Sequence, residues 1–259
     1  MALARTAAQL RVQLETALAE RIPRALSLKT PQQREFILSG FSEIDRLQAF
    51  PRGSLVELCG PVSSGRASLL QGLLANATAT GEAAVLLDTT DNFDPVSAAE
   101  NGVYLKNLLW VRPGPTKKHK GAEAGRLDQM IMAANLLLQS GGFGLAVLDF
   151  ADVPTKEARQ IPLTTWFGLR RSVENTRTVL VASSQLPNAG SSALITVQLA
   201  QARLDLSETK AKATVSHVDG DRLIQSIEFH AEVARAQHRK PPQSTHSGVR
   251  FATTLQRYC

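Results

Sequence analysis

The chain has 259 residues, 43% of them hydrophobic, and a formal net charge of +6. That apolar content excludes disorder as the main state, and the length suits one large α/β domain with short extensions. No apolar stretch reaches the ~20 residues of a membrane span. No signal-peptide core opens the chain, and Cys59 and Cys259 cannot make a disulfide framework, so a reducing cytoplasm and no membrane partner are expected.

In chain order, Leu3, Ala7, Leu10, Leu14 and Ala17 form one apolar stripe of a helix that Pro23 ends. That helix either lies on its own domain or is an arm that docks on another subunit. From residue 53 strands and helices alternate. "SLVELCG" is a strand leading into a Gly loop, and "ASLLQGLLANATAT" is a helix stopped by Gly81. Strands follow at "AAVLLD", "NLLWVR", "GLAVLDF" and "TVLVASS", with a helix over "AEAGRLDQMIMAANLLLQS". Continuously apolar strands between helices imply a parallel sheet covered on both faces. After residue 193, "ALITVQLAQARLDLS", "DRLIQSIEFHAEVARAQH" and "GVRFATT" read as antiparallel hairpins completing a sheet edge. The expected organisation is an arm and linker at 1–40, an α/β core at 41–245 and a tail at 246–259.

The Gly loop "GPVSSGRAS" runs from Gly60 to Ser68. A phosphate loop reads G-x-x-x-x-G-K-[ST] between a strand and a helix, because backbone amides and the helix N-terminus attract an anion. Both glycines are in place, while Arg66 stands at the lysine and Ala67 at the magnesium-binding hydroxyl. An ordinary strand–turn–helix is the alternative. Histidines and cysteines show no metal-ligand spacing, so no metal site is expected.

These residues resemble the RecA recombinase family. "GPVSSGRAS" is similar to its phosphate loop, "LLDTTDNFDP" to its acidic strand end followed by Asp-Pro, and "GVYLKNLLWVRP" to the block after that. "LAVLDF" resembles the strand carrying the metal-binding aspartate, here Asp149, and "VASSQL" the strand carrying the γ-phosphate sensor, here Gln185. "VARAQHRKPP" resembles the segment that caps a neighbour's nucleotide. The similarity covers roughly residues 40–245. It implies a RecA-like α/β core, with a mostly parallel twisted sheet, helices on both faces and an antiparallel C-terminal edge.

The resemblance implies a nucleotide site at Gly60, Ser63, Ser64, Gly65, Arg66, Ala67, Ser68, Asp149 and Gln185, but a degenerate one. Arg66 keeps a charge, yet its planar fork does not place it where lysine would. Ala67 lacks an oxygen, and Ser68 comes one residue late, about 100° around a helix. Thr90 occupies the place of the family's water-orienting glutamate, and losing such a group costs ~10²–10⁴-fold in rate. Strand alternation aims its neighbour Asp91 elsewhere. No catalytic residue and no required cofactor are therefore expected, with ATP binding weak at most.

In the family two mobile loops engage DNA. Here "LPNAGSS" is short, and "ADVPTKEARQIPLTTW" leads into a helix carrying Arg170 and Arg171. Lys117, Lys118 and Lys120, with Arg170, Arg171 and Arg235, are the speculative DNA contacts; solvated loops are the plainer reading of "TKKHKG". Trp110 reads as core. Trp166 is the surface stacking candidate, with helix packing an equal alternative.

Within the family, "GPVSSGRAS" and "LLDTTDNFDPVSAAENGV" resemble the accessory branch of mutagenic translesion synthesis. That resemblance implies a non-catalytic scaffold in damage-induced mutagenesis. Its expected partners are an error-prone polymerase, polymerase-like mutasome subunits, a RecA filament, DNA and further copies of the chain. The alternatives are an ATP-dependent recombinase with DNA-stimulated turnover and a RecA-folded cell-division inhibitor; the retained glycines count against the latter.

Overall fold

The apolar runs between the predicted helices become strands of one eight-stranded sheet. The computed structural model describes residues 35–114, 122–150, 152–207, 223–236 and 248–254, all within the unit Glu35–Cys259. The Leu3–Ala17 stripe and Lys117, Lys118 and Lys120 lie outside the described residues.

The strands are β1 (Phe36–Ile37), β2 (Phe50–Pro51), β3 (Ser54–Cys59), β4 (Ala83–Asp88), β5 (Leu108–Val111), β6 (Phe143–Asp149), β7 (Val179–Ser184), β8 (Ile195–Ser207), β9 (Leu223–Ala236) and β10 (Val249–Thr254). The helices are α1 (Ser42–Leu47), α2 (Arg66–Ala79), α3 (Pro95–Glu100), α4 (Ala122–Ser140), α5 (Thr155–Ala158) and α6 (Leu163–Val173). β1 and β2 form a small antiparallel ribbon. The large sheet runs β10-β9-β8-β3-β7-β6-β4-β5, parallel from β8 to β5 and antiparallel from β8 to β10. This is the predicted α/β class.

Successive side chains of a strand face opposite ways, and both sides here are apolar. Val56, Leu86, Val147 and Val181 pack with Leu69, Leu73 and Ala77 of α2 and Ile44 of α1. Leu55, Leu87, Leu148 and Leu180 pack on the other side with Leu127, Met130, Ala134 and Leu138 of α4 and Leu169 and Val173 of α6. The three-four spacing in α4 gives the stripe a helix needs to lie on a sheet. Among the described residues no helix is long and apolar enough to cross a membrane.

Three differences from the sequence reading have physical causes. Trp166 is not a surface platform: it is 1% exposed and packs edge-on against Phe150 at 5.8 Å. Trp110 is only partly buried, stacking on Phe93 at 5.3 Å. The predicted edge strand "GVRFATT" is β10, whose Phe251 contacts Phe41 at 5.0 Å and Phe229 at 5.3 Å; burial of that ring holds the strand on β9. The helix α3 was not predicted, although Asp94 caps it by accepting the Val96 and Ser97 amides, with Pro95 in its first turn.

Candidate phosphate-binding cleft

The C-terminal ends of β3, β4, β6 and β7 lie along one edge of the sheet, where open α/β folds bind ligands. From Cys59 the chain turns through Gly60–Gly65 and starts α2 at Arg66, with Gly65 as N-cap at φ 89°. Ser63 also has positive φ, 60°. Gly65 is required twice over: its backbone is left-handed, and a Cβ there would stand 2.6 Å from the Phe229 ring. At Gly60 a Cβ would meet the Leu199 carbonyl oxygen at 2.4 Å.

The loop borders a cavity of about 450 Å³. Ser63, Ser64, Gly65, Arg66, Ala67, Ser68 and Asp149 share its wall, so most of the predicted nucleotide residues are brought together. Gly60 backs the loop from behind. Gln185 follows β7 and is not part of the wall; Ser183, two residues earlier, is. Asp152, Gln201, Ile227 and Phe229 complete it and were not anticipated, since they come from a turn and from antiparallel strands far along the chain.

Arg66 is 6% exposed, yet its Nε and Nη1 find no hydrogen-bond acceptor. Burial pushes its pKa down, opposed by the charges of Asp149 and Asp152 and by Cys59. The hydroxyls of Ser64 and Ser183 are likewise buried on this wall without partners. Buried donors without acceptors are costly, and a phosphate would satisfy them. Cys59 beside them is fully buried, and burial with the Glu57 charge pushes its thiol up to about 12.

Magnesium does not fit this donor set. Ala67 presents a methyl to the cavity where the ion's hydroxyl ligand belongs. The carboxylate of Asp149 faces the field of a guanidinium. No group of three metal-ligating side chains occurs among the described residues.

Thr90 borders a different, smaller hollow of about 50 Å³, with Thr89, Arg126, Asp152 and Glu157. A threonine hydroxyl there is no general base at neutral pH. Asp91 turns outward with φ 61° and pairs with Arg112 at 3.4 Å. Arg112 in turn stacks over Trp110 at 4.6 Å. Asp88 shapes the turn by accepting the Asn92 and Phe93 amides and the Trp110 Nε1–H. Asn92 donates to Asp152 at 2.7 Å, tying this turn to the one after β6.

The loop after β7 is also fastened. Glu57, buried in β3, accepts the Asn188 amide at 2.6 Å and the Ala189 amide at 2.7 Å with the same oxygen. Burial raises its pKa, moderated by these amides, the Thr196 hydroxyl and Arg235. A raised carboxyl contributes stability that is fully present below the ordinary carboxylate range and is lost as pH rises through the folded value. Glu57→Gln keeps an acceptor and removes that titration. Its melting temperature is expected to gain on the wild type as pH is raised from 4 to 7; a difference that stays flat in paired thermal melts would refute this. Of the other basic candidates, Arg170 is engaged by Glu174 at 2.9 Å, whereas Arg171 on α6 and Arg235 on β9 are exposed.

Residues 27–159 match the family model described as the RecA N-terminal domain. The chain is 35% identical over 108 residues to Protein RecA of Methylococcus capsulatus, covering 42% of this chain and 28% of that one. It is 29% identical over 151 residues to Protein RecA of Frankia alni, covering 58% and 40%. Protein RecA of Borrelia duttonii is 33% identical over 127 residues, covering 48% and 32%. The matched stretch therefore spans well under half the length of these relatives.

Proposed function

Because the chain belongs to the RecA family, we propose that it is a non-catalytic accessory member, of the ImuA kind, serving DNA-damage-induced mutagenesis. In this reading it scaffolds an error-prone polymerase and its polymerase-like partner subunit at a lesion, through contacts with them and with a RecA filament. The observation that carries it is the buried Arg66 facing Asp149 and Asp152, with Ala67 beside it and Thr90 in another hollow. Phosphoryl transfer in this family type needs a held metal and an oriented water. Here Ala67 replaces the metal's hydroxyl ligand and Thr90 the carboxylate that would orient the water. A RecA frame without turnover retains subunit-contact surfaces, which is the function a scaffold requires.

A second reading, an ATP-dependent recombinase, draws support from the name Protein RecA borne by the matched relatives. Phosphate release with magnesium, ATP and single-stranded DNA separates the two. The scaffold is expected to show no DNA-stimulated release above a protein-free control, and to retain RecA and the error-prone polymerase in a pull-down. DNA-stimulated turnover that Arg66→Ala abolishes would establish the recombinase instead.

A further inference from the structure

We propose that the cleft binds a nucleoside polyphosphate without a divalent cation, Arg66 serving as its built-in counter-charge. This deepens the non-catalytic reading and rests on it. Three observations converge. The first is the guanidinium, more than nine-tenths buried on the cavity wall with two nitrogens unsatisfied. The second is the pair of buried hydroxyls, Ser64 and Ser183, also without partners on that wall. The third is the pair of carboxylates, Asp149 and Asp152, sharing the cavity with the arginine.

In a magnesium-dependent site the ion neutralises both the aspartate and the phosphates. Here a fixed cation already stands among the acidic groups, and Ala67 withholds the oxygen an ion would need. A guanidinium is charged at any working pH and presents several donors in a plane, so its unsatisfied nitrogens can take a phosphate without a proton moving. Leu70, Ile227 and Phe229 add apolar surface to the same cavity. Phosphate donors together with apolar surface suit a ligand with a charged end and a flat aromatic end. The cavity volume lies within the usual range for small-molecule sites, about 300–1,000 Å³.

Isothermal calorimetry on the full chain tests this with ATP and with inorganic pyrophosphate, each in EDTA and in magnesium. The expected result is an ATP affinity that agrees within about twofold between EDTA and magnesium, a difference under 0.5 kcal/mol. Pyrophosphate is expected to bind more weakly, because it leaves the apolar surface uncovered. Asp149→Asn is expected to tighten ATP in EDTA, since it removes the group that competes for Arg66. Arg66→Gln is expected to weaken it by about tenfold or more, the loss of one charged hydrogen bond. Should the glutamine variant fail to fold, Asp149→Asn still decides.

A tenfold gain on adding magnesium, or weakening by Asp149→Asn, would overturn the proposal by showing a metal ligand at work. Absence of binding by both ligands in both buffers would overturn it too. The scaffold reading is judged separately, by DNA-stimulated phosphate release and by the pull-down.

Discussion

Trp166→Ala is expected to lower unfolding stability by about 3–5 kcal/mol, the range for emptying a large aromatic site. The indole is 1% exposed and lies edge-on to Phe150, with Leu169 and Val173 of its own helix and Leu138 of α4 in the same cluster. Its Nε1–H has no acceptor, so the substitution breaks no hydrogen bond and the loss is one of packing. Trp166→Phe should therefore cost far less, because it keeps the ring contact and removes an unsatisfied donor. Phe150 directly follows Asp149, so the alanine variant should also loosen the strand end that borders the cavity. Urea unfolding of the three proteins checks this. Equal stability of the alanine variant and the wild type would show that the α6–sheet packing is wrongly described.

Gly65→Ala should damage both the loop and the cleft it borders. The residue lies at φ 89°, where an L side chain costs about 1–2 kcal/mol. The new methyl would also press on the Phe229 ring, and overpacking of that kind costs about 1–3 kcal/mol. A combined loss of about 2–5 kcal/mol is expected, along with loss of any ligand heat. Phe229→Leu supplies the control. It relieves the steric part and leaves the backbone part, so the second substitution should be cheaper in that background. A double-mutant cycle by thermal melting reads the coupling; strict additivity would mean that the ring and the loop do not touch.

The parallel part of the sheet was legible because each strand is an apolar run filling both of its faces, a pattern no amphipathic surface strand shares. Short elements were less visible. Two-residue β1 and β2 and six-residue α1 give too few positions for any period to show, yet Asp94 followed by Pro95 was a readable helix start. Trp166 could have been assigned from its own helix: Trp166, Leu169 and Val173 share a stripe while Arg171 points away from it. The loop half of the cleft was readable because its residues are consecutive. Ser183, Gln201, Ile227 and Phe229 were not, since they join the wall only through strand pairing between distant segments. Glu57 lay hidden in a strand, its role depending on amides 131 and 132 positions away.

The Glu57 attachment makes two loops depend on one titratable group. Glu57 sits on β3, the strand that runs straight into Gly60–Gly65, and the same carboxylate holds the segment after β7. Two amides on one buried oxygen leave that segment little freedom to swing out on its own. Its backbone is thus tied to the same strand that carries the Gly loop. Protonating that one carboxyl would therefore be felt at both ends of the attachment, the Gly loop and the segment after β7.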